Sequence, residues 1–123
     1  MVLIDDSIVR GTTCRRLAQL LWKAGAKEIH MRVSAPPFIC PCYYGTDIDN
    51  PDVLIANRLS VEEIAKEISV TTLGYLSIEN VRRLAGEDTG FCTACFGGGY
   101  PTAIPSDTAK DRFEMKISEK KQV

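Results

Sequence analysis

The stretch Val2-Leu3-Ile4-Asp5-Asp6-Ser7-Ile8-Val9-Arg10-Gly11-Thr12-Thr13 decides how the chain is read. Three apolar residues run into two carboxylates, then into a loop of hydroxyls with one glycine. A short apolar run bounded by a polar turn is the pattern of a buried parallel strand. From Thr12 the period changes: Leu17, Leu20, Leu21 and Ala24 fall at helical spacing, and Gly25 is a good C-terminal stop. Between Glu28 and Val33 the apolar residues Ile29, Met31 and Val33 alternate, as in a second strand. Strand, loop, helix and strand make a βαβ unit, with parallel strands and a right-handed crossover. The fold class is therefore α/β.

The acidic pair stands at the carboxyl end of the first strand, where open α/β sheets bind ligands. The loop after it offers backbone N–H groups, hydroxyls and a helix N-terminus, which favour a phosphate. Two adjacent carboxylates accept from sugar hydroxyls and can anchor Mg²⁺, which takes few carboxylates plus waters. The combination suits a phosphorylated sugar. A nucleotide P-loop does not fit, because Gly-x-x-x-x-Gly-Lys is absent. The plainer alternative is an acidic surface turn before an ordinary helix.

Composition narrows the class. The 123 residues are 45% hydrophobic and 25% charged, as in a globular domain and unlike a disordered tail or a coiled coil. Fifteen basic and 16 acidic residues leave a net charge of −1, which argues against nonspecific nucleic-acid binding. No apolar run approaches the ~18 residues of a membrane span, and Met1–Ile4 is too short for a signal-peptide core. A cytoplasmic protein is expected. A chain that opens inside a strand is expected to be the back part of a larger protein. Five cysteines in a cytoplasmic chain point to metal or redox chemistry before disulfides.

Further along, Pro36, Pro37 and Pro41 exclude a central strand or helix interior. Asn50-Pro51 predicts an N-cap and a short helix to about Ala56. Ser60-Val61-Glu62-Glu63 has the capping-box pattern before a helix to about Ile68. Leu73–Leu76 reads as a short strand, and Ser77 caps a helix to about Ala85, ended by Gly86. Glu87 to Pro105 reads as loop. The tail, with Phe113, Met115 and Ile117, reads as a final helix ending in a solvated terminus.

Cys92-Thr93-Ala94-Cys95 is ambiguous by itself among zinc, iron–sulfur, redox and coincidence. Cys40 and Cys42 could complete a four-thiol set, but their one-residue gap is poor for two ligands on one metal. Cys40 reads better as a buried structural thiol. Cys14, in the first helical turn, is assigned no chemistry, although a helix N-terminus can lower a thiol pKa. His30 reads as a packed or surface residue, Trp22 as core or interface packing, and Arg82-Arg83 as a solvated face. Gly97-Gly98-Gly99 lacks the context of a dinucleotide loop and lets backbone pass close to the cysteines.

The string from Val2 to Thr13 resembles the phosphoribosyl-pyrophosphate (PRPP) signature of type I phosphoribosyltransferases. In the form Asp-Asp-Ser-Ile-Val-Arg-Gly-Thr-Thr it resembles the glutamine PRPP amidotransferase family. Two further stretches carry the same resemblance in the same order: Pro41-Cys42-Tyr43-Tyr44-Gly45, and Phe91-Cys92-Thr93-Ala94-Cys95-Phe96 followed by Gly99-Tyr100-Pro101-Thr102. Together they cover Val2 to about Thr108.

The resemblance implies part of a type I phosphoribosyltransferase fold, a parallel sheet with flanking helices. Residues 1–35 would be the C-terminal part of the phosphoribosyltransferase domain. Residues 36–123 would be a helical, cysteine-bearing region packed on it without an independent boundary. The implied reaction transfers glutamine-derived ammonia to PRPP, giving 5-phosphoribosylamine, the first step of purine synthesis. By the same resemblance Asp5 and Asp6 meet the ribose hydroxyls and Mg²⁺, and Ser7, Ile8, Val9, Arg10, Gly11, Thr12 and Thr13 wrap the 5′-phosphate. Arg10 points toward the anionic ligand or a neighbouring subunit. Cys42, Cys92 and Cys95 are implied ligands of a structural or oxygen-sensing [4Fe–4S] cluster. The family's remaining ligand lies upstream of the PRPP motif, outside this chain. Implied partners are PRPP, glutamine or ammonia through an N-terminal domain not in this sequence, purine nucleotide inhibitors, and further copies in a homo-oligomer. No catalytic nucleophile is assignable, so the isolated chain is expected to have at most residual activity and poor stability. Two other readings stay open: a noncatalytic PRPP-binding regulatory module, and a metal-dependent structural fragment.

Overall fold

In the computed structural model, which describes residues 1–48, 50–86 and 90–104, the apolar run opens a three-stranded parallel sheet. Strand β1 spans Val2–Asp5, helix α1 Thr12–Lys23 and strand β2 His30–Val33. Helix α2 spans Val61–Glu67, strand β3 Thr72–Tyr75, helix α3 Ile78–Ala85 and helix α4 Ala94–Gly97. The sheet order is β1-β2-β3. Val2 to Asp5 pair with His30 to Val33, and those pair with Thr72 to Tyr75. The tail expected as a final helix lies outside the described residues.

Most elements form for the local reasons the sequence offers. Helix α2 starts in a reciprocal capping box: Ser60 Oγ accepts the Glu63 N–H at 3.2 Å, and Glu63 Oε2 accepts the Ser60 N–H at 2.8 Å. Ser77 caps α3 by accepting the Asn80 N–H at 3.1 Å, and Gly86 follows its last residue at φ 92°. The segment after Pro51 departs from expectation. It is two 3₁₀ turns, Pro51–Val53 and Ile55–Asn57, split by Leu54 in extended geometry. Leu54 is fully buried, so packing overrides helical continuation there. Helix α4 also interrupts the segment expected to be loop. It is one turn, closed by Gly98 in the left-handed conformation at φ 77°.

One apolar layer lies between the sheet and helices α1 and α2. Ile29, Met31, Val33, Ala18, Ile64 and Ile68 are buried in it. Each such branched or long side chain contributes about 1.5–3 kcal/mol by leaving water. The opposite sheet face is open: Val2 is 66% and Ile4 74% exposed, against the buried strand expected there. The reason is alternation, since β1 turns Leu3 inward and Val2 and Ile4 outward. A second, smaller cluster joins Phe38, Cys42, Ile48 and Leu54 to Val9, Cys95 and Phe96. The rings of Phe38 and Phe96 lie 4.8 Å apart in it.

Trp22 is 37% exposed, and its Nε1–H donates to Ser69 O at 2.7 Å, so it braces α1 against the end of α2 instead of filling the core. Arg15 adds to that brace through an ion pair with Glu67 and a bond to the Glu67 carbonyl at 2.9 Å. His30 lies partly exposed between Thr72 Oγ1 at 3.0 Å and Glu28 Oε2 at 3.1 Å, as a surface residue would. Arg82 is not merely solvated, because it donates to Thr93 Oγ1 at 2.9 Å.

Candidate functional site

The carboxyl end of β1 opens into a cleft of about 410 Å³ lined by Asp5, Asp6, Ser7, Val9, Arg10 and Gly11 to Cys14. The far wall is Asp47, Ile48 and Val53. Gly11 makes the loop possible. It stands at φ 78°, and a Cβ there would lie 2.9 Å from Ile55 Cδ1 and 3.1 Å from Ile68 Cγ2. Only glycine both adopts that backbone and lets the loop press onto the core. Helix α1 begins at once, with no side-chain cap and no acidic residue in its first turn. Its first N–H groups and the positive end of its dipole are left for an anion.

The two carboxylates differ. Asp5 is half-buried and held on both oxygens: Oδ1 accepts the Asp6 N–H at 3.0 Å, and Oδ2 accepts the Cys14 thiol at 3.4 Å. Asp6 is exposed, and among the described residues its carboxylate receives only a long contact from Ser7 Oγ at 3.5 Å. Burial first, and then the Asp5 carboxylate, push the Cys14 thiol up to about 11. The helix N-terminus does not prevail against them, and Cys14 stays protonated.

Of the loop residues expected to wrap a phosphate, Ile8 does not line the cleft. Its side chain is 2% exposed and belongs to the core, so only its backbone could serve a ligand. Arg10 is exposed and borders the cleft. Asp47 was missed by sequence reasoning; it is one acidic residue in a loop, and nothing local sets it apart. It reaches the cleft wall on a loop tied back by the Cys42 N–H, which donates to Ile48 O at 2.8 Å. Mg²⁺ needs only one or two carboxylates plus ligand oxygens, so Asp5 and Asp6 fit it in number and kind.

All five cysteines are free thiols, and two of them, Cys42 and Cys95, pack in the second cluster. The Ile39 and Cys40 N–H groups both donate to Cys95 O, at 3.0 and 3.1 Å. Cys40 is half-buried, not fully buried as expected, and its sulfur lies 3.5 Å from where a Cβ on Gly98 would stand. The glycine thus leaves room beside the thiols. Burial alone would raise Cys42, but the backbone N–H groups of Tyr44, Thr46 and Gly45 outweigh it and pull the thiol down to about 7. Cys95 moves up, first from burial and then from the neighbouring Cys42, Cys92 and Cys40. Cys92 is exposed. Among the described residues no three His, Cys, Asp or Glu side chains converge closely enough to hold one metal ion. Thiolates are the usual ligands of iron–sulfur clusters, so Cys42, Cys92 and Cys95 fit such a group in donor type.

Parallel strands, flanking helices and an acidic pair running into a phosphate-type loop define a phosphoribosyltransferase-type fold. The amidophosphoribosyltransferase of Synechocystis is 48% identical over 117 residues, 94% of this chain and 24% of that protein. Amidophosphoribosyltransferase 2, chloroplastic, of Arabidopsis thaliana is 49% identical over 111 residues, 89% of this chain and 20% of its own length. The solved glutamine PRPP amidotransferase of Bacillus subtilis, complexed with ADP and GMP, superposes with a TM-score of 0.79 at 47% identity, covering 87% of this chain and 25% of that one. No protein-family model matches. Over most of its length the chain matches amidophosphoribosyltransferases, and it spans about a quarter of the length of those relatives.

Proposed function

We propose that the chain supplies the PRPP site and the cysteine region of an enzyme that transfers glutamine-derived ammonia to PRPP. The product would be 5-phosphoribosylamine, at the entry to purine synthesis. One observation carries the proposal: the acidic pair and the uncapped N-terminus of α1 face one cleft. The first-turn N–H groups and the hydroxyls of Ser7, Thr12 and Thr13 hold the 5′-phosphate. Asp5 and Asp6 accept from the ribose hydroxyls, and their charge favours the cationic character the sugar ring gains as pyrophosphate leaves. Mg²⁺ on the same carboxylates would offset the charge of the departing pyrophosphate. Arg10 adds a cation at the rim.

Residues 1–35 carry the loop and residues 36–123 the region packed on it. Cys42, Cys92 and Cys95 hold a [4Fe–4S] cluster together with a ligand from elsewhere, and its part is structural or oxygen-sensing. Purine nucleotides inhibit at the PRPP site, the enzyme works as a homo-oligomer, and its compartment is the cytoplasm. Among the described residues no helix is long and apolar enough to cross a membrane.

Calorimetric titration with PRPP and Mg²⁺ tests the site. Binding is expected, with at least a tenfold loss in Asp5→Asn and Asp6→Asn, the scale of a lost charge-assisted hydrogen bond of about 1.5–3 kcal/mol. Wild-type protein that binds inorganic phosphate but not PRPP would sink the reading. Iron and sulfide analysis after anaerobic purification tests the cluster, which should be lost in Cys42→Ser.

A further inference from the structure

We infer that Cys14 is a positioning residue, whose thiol holds the Asp5 carboxylate toward the cleft. This rests on the PRPP reading of the site and deepens it. Cys14 is 4% exposed and fixed in the first turn of α1, on the core side of the loop. Its Sγ lies 3.4 Å from Asp5 Oδ2, while the Asp6 N–H takes Oδ1 at 3.0 Å. Asp5 is thereby clamped from two directions, one local and one nine residues away. Among the described residues no other donor reaches Oδ2. The nearby phenol does not replace it, because Tyr75 Oη is shut off from solvent and has no partner there. Among the described residues Asp6 has no such clamp. The pair is therefore built of one fixed acceptor, set by a thiol, and one that can follow the ligand.

The geometry separates two parts of the ligand. The phosphate is held by backbone and hydroxyls, which do not depend on the thiol. The ribosyl hydroxyls and the cation depend on Asp5. In the protein as it occurs in its cells, with calorimetric titration, Cys14→Ala is expected to weaken PRPP with Mg²⁺ by about three- to tenfold, the range of a weak donor to a charged acceptor. Affinity for inorganic phosphate should change by less than about twofold, and Cys14→Ser, which restores a donor, should bring PRPP back to within about twofold. Equal losses for PRPP and phosphate would mean a merely structural thiol and would overturn the inference, as would an unchanged PRPP affinity or no rescue by serine. A second measurement does not depend on the alanine variant folding. The S–H infrared band missing from Cys14→Ser should lie below the frequency of a free thiol in the wild type and should move when Mg²⁺ and PRPP bind; a band at the free-thiol position overturns the inference. Wild-type protein that fails to bind PRPP would overturn the PRPP reading itself, an outcome distinct from either variant result.

Discussion

Cys14 and Cys42 are both buried, and each sits beside a loop that carries the proposed chemistry, yet their thiols move in opposite directions. Cys14 is pushed up to about 11 and Cys42 is pulled down to about 7. Burial raises both. The difference lies in the partner: Cys14 faces a carboxylate, and Cys42 faces a turn of backbone N–H groups. One region therefore keeps a proton on sulfur and uses it to hold an oxygen. The other stabilises a thiolate, the form that binds iron. The surroundings differ to match. Cys14 sits in the large layer under the sheet, whereas Cys42 sits in a cluster of four buried residues with two tilted rings beside it.

The largest effect expected is in the smaller region. Phe38→Ala should cost about 3–5 kcal/mol in urea denaturation and should speed alkylation of Cys42, because the ring packs in its cluster. Unchanged Cys42 reactivity would break the claim that this cluster shelters it. Ile64→Ala, in the other region, should cost about 2–5 kcal/mol and leave Cys42 reactivity as it was. Gly11→Ala comes next, at about 1–3 kcal/mol for the left-handed backbone alone, with PRPP binding falling alongside; a full-strength site in that variant would show that the loop tolerates a Cβ against Ile55. Ser60→Ala should cost about 1 kcal/mol through its cap and alter neither thiol, which makes it the control for both regions.

The smallest effect is the pH slope, which tests the comparison directly. In iron-free protein the folded Cys42 loses its proton as pH rises through about 7, while the unfolded chain holds its own up to about 9.0. Its contribution to stability is therefore full above 9.0 and is lost as pH falls through about 7. Cys14 runs the other way, contributing fully below 9.0 and losing that contribution as pH rises through about 11. Cys42→Ser should flatten the first slope and Cys14→Ser the second, read as denaturation midpoints against pH. A single slope common to both variants would sink the comparison.

What the sequence determined by itself is what neighbouring residues decide. The passage from Val2–Asp5 through the loop into α1, the capping box at Ser60, the cap at Ser77 and the three family motifs were all legible, because each rests on residues within about one or two helical turns. The tertiary structure decided the rest, since those features join residues far apart in the chain. Ile8, inside the loop motif, turns into the core. Asp47 reaches the cleft wall. Trp22 meets Ser69 O across 47 residues, and Tyr100 donates to Pro41 O across 59. The second turn of the pair after Pro51 begins where Leu54 must be buried. Periodicity reports which face of an element is apolar but not what meets that face. The hold on the Cys14 proton and the ease with which Cys42 loses its own depend on what each sulfur meets, and that is settled only when the chain is packed.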